Sequence, residues 1–301
     1  MNKDMMNTKE VAQYLGINDK KIYQLVNEKK IPGTRVTGKW TFPKKLIDEW
    51  MIQKAQENVR SEEKSTKLKN HMVYIGSHDI ILDILTHLLR KNFPELSLSL
   101  ASVGSIDGLR ALQMGNAHIA GCHLLSPETG EYNTPYIKRY LSDQKIMITN
   151  LVYRDQGLIV KPGNPLKILG FEDFCRPEVR MINRQSGSGT RILFDCKMWE
   201  YGIDPTTIRG YETEVNTHTE VAIGVRGEAV DVGLGIFSVS KILGLEFIPV
   251  TQERYDLVIP REIFYTKPIQ SLLTIIRSQE FRERVGQMGG YDTRDSGTLV
   301  C

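Results

Sequence analysis

"NRQSGSGTR", residues 183–191, sets Gly187 and Gly189 among Ser186, Ser188 and Thr190, with an arginine near either end. Strand-like residues precede the run and "ILFD" opens a helical pattern behind it, so it sits at a strand-to-helix turn. Glycine lets backbone approach a ligand closely, serine and threonine add hydroxyl donors, and a helix N-terminus presents unpaired N–H groups with a positive partial charge. The stretch is either ordinary turn chemistry or one wall of an anion cradle. It is not a Walker A loop, because the GxxxxGK[ST] spacing is absent and Arg191 follows Thr190.

The same design recurs upstream. Gly76-Ser77 closes "MVYIG" and precedes "DIILDILTHLLRKN"; Gly104-Ser105 closes "LSLSLASV" and precedes "IDGLRALQMG". Apolar strand-like runs alternating with helical patterns from Met72 onward predict an α/β unit with mainly parallel strands. In such a fold ligands bind beyond the carboxyl ends of the strands, where three such turns facing one cleft would hold an anion. Taken singly, each turn is equally well explained by a helix cap. The candidate ligand residues are Ser77, Ser105, Ser186, Gly187, Ser188, Gly189 and Thr190, with Arg191 and His123 of "GCHLL" beside them. Arg154 and Arg184 are further possible counter-charges, and each arginine is also a candidate for a salt bridge between lobes. Tyr132 and Asn133 either line the cleft or build its loop, and Asp231 is expected to hold a strand-end loop.

The net charge of +3 is unevenly divided: residues 1–60 hold 12 Lys+Arg against 7 Asp+Glu, and the rest hold 27 against 29. A small basic unit ahead of a larger near-neutral one fits nucleic-acid binding by the first. "NTKEVAQYLGINDKKIYQLVNEKKIPG" reads as two short helices, with Thr8 capping the first, Gly16 ending it and Asn18 or Asp19 capping the second. Ile22, Leu25 and Val26 form the inward stripe of the second helix, which leaves Lys20, Lys21, Tyr23, Gln24 and Asn27 outward as a set suited to base edges and phosphates. "TRVTGKWTF" predicts a two-stranded ribbon, and "PKKLIDEWM" a helix starting at Pro43.

Together these segments make a winged helix-turn-helix, and over residues 7–52 they resemble the excisionase or MerR-like DNA-binding fold. That resemblance implies that the helix Asp19–Glu28 enters the major groove and that Arg35, Lys39 and Trp40 of the wing touch the backbone or minor groove; Trp40 is equally a candidate core residue. A second resemblance covers residues 72–301. "HLLSPETGEYN", "VYRDQGLIVKPGNP", "NRQSGSGTRILFD", "VAIGVRGEAVDVGLGI" and "LEFIPVTQERYDLVIP" look like the periplasmic-binding-protein-like domain fused behind helix-turn-helix units in bacterial regulators, similar to molybdate- and tungstate-binding proteins. It implies a type II two-lobed fold joined by crossing strands. The expected domains are 1–53, a linker 54–71, and 72–301, with lobe 1 over about 72–153 and 258–301 and lobe 2 over about 154–257.

Other functions find little support. HExxH and GxSxG are absent, the six histidines show no metal-ligand spacing, and nothing in the sequence places Ser188 beside His218, so no enzyme, cofactor or metal cation is expected. Cys122, Cys175, Cys196 and Cys301 are scattered and read as reduced thiols. No apolar run approaches the roughly 20 residues of a membrane helix, and the start lacks a secretory core, so a cytoplasmic protein is expected. The expected function is a transcription regulator that binds double-stranded operator DNA as a homodimer or higher homo-oligomer and senses tungstate or molybdate. Sensing of a small organic anion, as in LysR-type effector domains, and oxyanion storage are the alternatives; a recombination accessory role leaves the large second unit unexplained.

Overall fold

The computed structural model describes residues 4–28, 30–36, 38–52, 54 and 70–300. Most of the expected linker, residues 55–69, lies outside them. The chain forms two compact units, Met1–Leu68 and Lys69–Cys301. Among the described residues no helix is long and apolar enough to cross a membrane.

In the first unit, β1 (Met5–Asn7) leads into α1 (Thr8–Leu15) and α2 (Asp19–Asn27), followed by β2 (Thr34–Val36), β3 (Lys39–Pro43) and a helix over 44–52, α3. The cap of α1 is Asn7, not Thr8. Its side chain accepts the Glu10 amide at 3.0 Å while the Glu10 carboxylate accepts the Asn7 amide at 2.8 Å, a reciprocal capping box that makes Thr8 the first helical residue. Gly16 ends α1 at φ +66°, and Asn18 caps α2. The ribbon is a three-stranded sheet, because β1 pairs antiparallel with β3; Met5 opposite Pro43 keeps that proline in the strand, so α3 starts after it. Likewise α2 stops at Asn27, leaving Glu28 as its cap. Val11, Ala12, Ile22, Val26, Ile31, Phe42 and Ile47 form the core, and half-buried Trp40 packs against it with Arg35 over its ring. Lys20, Lys21, Tyr23, Gln24, Asn27, Arg35 and Lys39 are exposed.

The second unit holds strands β4 (His71–Gly76), β5 (Ser97–Ser102), β6 (Ile119–Cys122), β7 (Ile146–Val160), β8 (Met181–Arg184), β9 (Glu214–Val215), β10 (Val232–Ile236), β11 (Glu246–Pro260), β12 (Tyr291–Asp292) and β13 (Leu299–Val300). Its helices are α4 (Ile81–Asn92), α5 (Ser105–Gln113), α6 (Thr134–Tyr140), α7 (Gly189–Glu200), α8 (His218–Arg226), α9 (Phe237–Ile242), α10 (Arg261–Phe264), α11 (Lys267–Arg277) and α12 (Gln279–Met288). The main strand order is β5-β4-β6-β11-β7-β10-β8-β9, with β12 and β13 on β7. Pairs within each lobe, β4 with β5 and β6 and β8 with β9 and β10, are parallel. The two 15-residue strands β7 and β11 run antiparallel along their whole length, β11 pairing with β6 of the first lobe and β7 with β10 of the second. Tyr153 and Val258, the expected lobe limits, lie inside these two crossing strands.

Each lobe has its own apolar filling. Tyr74, Leu85, Leu89, Leu151, Leu257, Leu272, Ile276 and Phe281 join α4, α11 and α12 to the sheet of the first. Leu158, Phe171, Phe174, Leu193, Phe194 and Leu234 fill one side of the second, and Ile159, Ile182, Val221 and Val239 the other. Strands buried on both faces read as continuous apolar runs, as "DVGLGI" does. Such surroundings make every buried polar side chain along β7 and β11 costly unless it is paired.

Candidate ligand site between the lobes

Ser77, Ser105, Ser188 and Thr190 are fully buried at three strand-to-helix turns, and the fold draws those turns together. The Ser77 amide donates to the Gly121 carbonyl at 2.9 Å, and the Ser77 hydroxyl meets His123 Nε2 at 2.7 Å. The Ile106 amide, in the first turn of α5, donates to the Gly187 carbonyl at 3.2 Å, which joins the second turn to the third. Gly187 adopts φ +81° and Gly104 φ +95°, left-handed values that make glycine the fitting residue at both places. Ser188 caps α7 through the Arg191 amide, and Thr190 Oγ1 accepts from Gln156 Nε2 at 2.7 Å. A Cβ on Gly189 would lie 2.5 Å from both the ring Nδ1 and the carbonyl oxygen of His123. Gly189→Ala is therefore expected to push the lobes apart and weaken ligand binding at least about tenfold, a loss near 1.4 kcal/mol. Small-angle scattering with a binding titration checks it.

A buried ionic chain runs behind these turns. Arg154 on β7 donates through Nε to Glu253 and through Nη1 to Asp79, and its guanidinium lies 4.5 Å from the Tyr255 ring centroid. Glu253 stands directly opposite it on β11 and takes His123 Nδ1 at 2.7 Å. Asp79 accepts from the Tyr291 hydroxyl at 2.8 Å and the Ile81 amide at 2.9 Å. Burial opposes the charge of Arg154, but Glu253 and Asp79 outweigh it and raise its pKa. Burial likewise opposes ionisation of Glu253, and Arg154 and His123 reverse that and hold its carboxyl below the usual range.

Arg184, at the end of β8, is 1% exposed yet meets no carboxylate within ion-pairing distance among the described residues. Its Nε donates to Gln185 Oε1 at 3.1 Å and its Nη2 to the Asn216 carbonyl at 2.7 Å, while Nη1 has no partner among the described residues. Burial and the neighbouring Arg154 push its pKa down to about 9. Beside it His218, the first residue of α8 and 0% exposed, has no partner on either ring nitrogen. Burial, then Arg184 and Arg154, drive its pKa well below the usual value. The His78 ring, 6.4 Å from that of His218, leaves Nδ1 unbonded, as do Arg154 Nη2, Gln185 Nε2 and Gln156 Oε1. An unmade buried hydrogen bond costs about 1–3 kcal/mol, more at a charged group, so these atoms define the candidate ligand site.

Four of the proposed ligand residues thus have their side chains committed within the protein: Ser77 and His123 to each other, Ser188 to its cap and Thr190 to Gln156. Ser105 Oγ accepts the His123 amide at 3.4 Å. Gly187 and Gly189 shape the junction. Arg191 and Ser186 are not brought into the cluster. Arg191 is claimed by Asp195 at 3.0 Å and Glu214 at 2.6 Å and stacks over Tyr211, and Ser186 is exposed. Asp231 binds Lys161 and Arg180, and Asn133 at φ +64° ties the Leu124 amide to Asp256, both loop-holding roles. Sequence reasoning missed His78, Asp79, Gln156, Gln185, His218 and Glu253. One signal was available: Thr217-His218 opens an amphipathic helix, a fourth turn of the same kind.

Comparison with known proteins agrees with this architecture. Residues 5–55 match the helix-turn-helix domain family and residues 86–277 the PBP superfamily domain. The chain is 28% identical over 298 residues, 97% of its length and 96% of the relative's, to the uncharacterized protein YvgK of Bacillus subtilis (strain 168). Among solved structures it resembles a substrate-binding protein with bound phosphate from Clostridium perfringens, at TM-score 0.57 and 15% identity over 74% of this chain and 99% of that one. It also resembles the tungstate ABC transporter structure from Geobacter sulfurreducens, at TM-score 0.54 and 12% identity over 72% and 98%. These likenesses show the fold, a two-lobed solute-binding type. The superfamily match spans nearly two thirds of the sequence, and the chain belongs to the PBP superfamily, carrying a helix-turn-helix domain ahead of it.

Proposed function

We propose that this protein is a one-component transcription regulator whose helix-turn-helix unit binds double-stranded operator DNA in the cytoplasm and whose two-lobed domain takes a tetrahedral oxyanion, tungstate or molybdate. The observation that carries the ligand class is Arg184: a buried guanidinium with an unbonded Nη1 and, among the described residues, no carboxylate within ion-pairing distance favours an anion. The orphaned nitrogens of Arg154, His78, His218 and Gln185 are donor-capable, and Gln156 can exchange its amide ends so that Nε2 faces inward. An oxyanion offers acceptors only, which matches such a set. The resembled folds include one with bound phosphate and one named for tungstate, both tetrahedral oxyanions. A small organic carboxylate is the second reading, favoured by the fact that guanidinium and imidazole atoms, rather than serine hydroxyls, are left unpaired. Calorimetric titration with tungstate, molybdate, sulfate, phosphate and then small carboxylates separates the two; no binding by any of them removes both.

On the DNA side, Lys20, Lys21, Tyr23, Gln24 and Asn27 project from α2, and Arg35 and Lys39 from the wing. In the free protein Lys21 donates to Gln24, and Gln24 to Glu28, so those side chains re-pair on reaching bases. Lys39→Ala is expected to weaken operator binding evenly across sequences and to reduce the salt slope by about one, whereas Gln24→Ala relaxes base preference by about 1–3 kcal/mol. Gel-shift titrations at several salt concentrations check both. A single unit of about 50 residues makes few contacts, so a homodimer or higher homo-oligomer on paired half-sites completes the reading, checked by sedimentation with and without DNA. Ligand changes operator affinity only to the extent that the liganded and free forms differ in their affinity for DNA.

A further inference from the structure

We infer that the oxyanion is bound together with a proton, which His218 takes up as the anion arrives. This rests on the oxyanion reading above. The fixed charges of the buried cluster already balance: Arg154 and Arg184 against Asp79 and Glu253. Adding a dianion to a neutral, water-excluded cluster leaves two unmatched charges, a costly state in low dielectric. His218 is the group placed to answer it. It is fully buried, both ring nitrogens are unbonded among the described residues, and it opens α8, where the peptide dipoles favour the anion and disfavour an imidazolium until the anion is there.

The surroundings of His218 explain why it is neutral before the anion arrives and cationic afterwards. From β8 it faces Arg184, from β7 Arg154, from the segment after β4 His78 and from the end of β6 His123, while Asp79 and Glu253 are ion-paired to Arg154. On its own helix Glu220 is engaged in capping, accepting the Asn216 amide and the Thr217 hydroxyl. The packed strand β10 carries no titratable group, and Lys241 on α9 donates away to the Gln287 carbonyl. Asp79 and Glu253 are spent on Arg154, so burial first, and then the guanidiniums of Arg184 and Arg154, disfavour the imidazolium. A neutral imidazole has one N–H and one bare lone pair, and the bare nitrogen repels an oxyanion oxygen. Protonation turns that nitrogen into a donor and returns one unit of charge to the cluster. Ser77 cannot substitute, since with neutral His123 donating to Glu253, its hydroxyl proton is committed to His123 Nε2.

The sign follows from linkage: a ligand that raises a pKa binds more tightly as pH falls. Sulfate, molybdate and tungstate remain dianions around neutral pH, so any proton exchanged belongs to the protein. The test is calorimetric titration of the full chain with each of these three anions at about pH 8, in two buffers of different ionisation enthalpy. The expected result is uptake of about one proton per anion and a Kd that rises up to about tenfold per pH unit above neutrality. His218→Gln is expected to bind with little proton uptake and a Kd insensitive to pH from neutrality to about pH 8, above which Arg184 itself begins to titrate. Imidazole nitrogen NMR shifts of the wild type, with and without sulfate or tungstate, assign the proton even where that variant does not fold. Binding without proton exchange, or uptake that leaves the His218 shifts unchanged, overturns the inference while the oxyanion reading stands. Failure of all three anions to bind overturns both.

Discussion

Arg184→Met is expected to weaken oxyanion binding at least about thirtyfold and to abolish the ligand-dependent rise in melting temperature. Removing one partner of a buried, hydrogen-bonded charge pair costs about 2–5 kcal/mol, and about 2 kcal/mol corresponds to that factor. The guanidinium is held in place by Gln185, Val215 and Asn216 and presents Nη1 with no other partner, so its worth to the protein is concentrated in the complex. The melting temperature of the unliganded variant should change little. It loses three hydrogen bonds to neutral acceptors but is also freed of a buried cation with no carboxylate beside it. Calorimetric titration and melting curves with and without tungstate measure both halves. Unchanged affinity would place the anion elsewhere.

Glu253→Ala should have the largest effect on the unliganded protein. Its carboxylate receives Arg154 Nε and His123 Nδ1 at the centre of the two crossing strands, with 1% exposure. Deleting one member of a buried ionic chain leaves the others desolvated, a cost of about 3–5 kcal/mol. For a unit of this size that lowers the melting temperature on the order of 10 °C. Arg154 keeps Asp79, so the fold is expected to survive at low temperature. Thermal denaturation followed by circular dichroism reads the shift, and a drop of less than a few degrees would mean that water replaces the lost carboxylate.

Local chemistry was legible in the sequence, and long-range register was not. Gly76-Ser77, Gly104-Ser105 and the 186–190 run were identifiable as strand-to-helix turns because glycine, hydroxyl and helix pattern are neighbours in the chain. The pairing of Arg154 with Glu253 depends on how β7 and β11 align across 99 positions, with register shifts between Pro249 and Thr251 and between Tyr255 and Asp256. No short-range pattern encodes that alignment. The loss of Arg191 was half visible: Asp195 lies one turn further along the same helix, but Glu214 comes from β9. Serine hydroxyls were expected to meet the ligand, and most are spent within the protein, because a buried hydroxyl takes the nearest partner whether or not a ligand is present. Asn7 rather than Thr8 as the first cap was recoverable from Glu10 three residues on.

The first lobe is assembled from both ends of the second unit: α11 and α12 pack on α4, and β13 pairs with β7. During synthesis the second lobe, contiguous in the chain, has nearly all of its residues before the first lobe has its last helices. The early part of the first lobe, from β4 to α6, must wait with the apolar face of α4 uncovered until α11 emerges. Long-range closure of this kind is slow and exposes sticky surface meanwhile. Shortening the chain by its final few dozen residues would therefore act on a lobe whose first strand lies more than 180 positions upstream of the cut, and would send the protein toward aggregation rather than toward a smaller folded form.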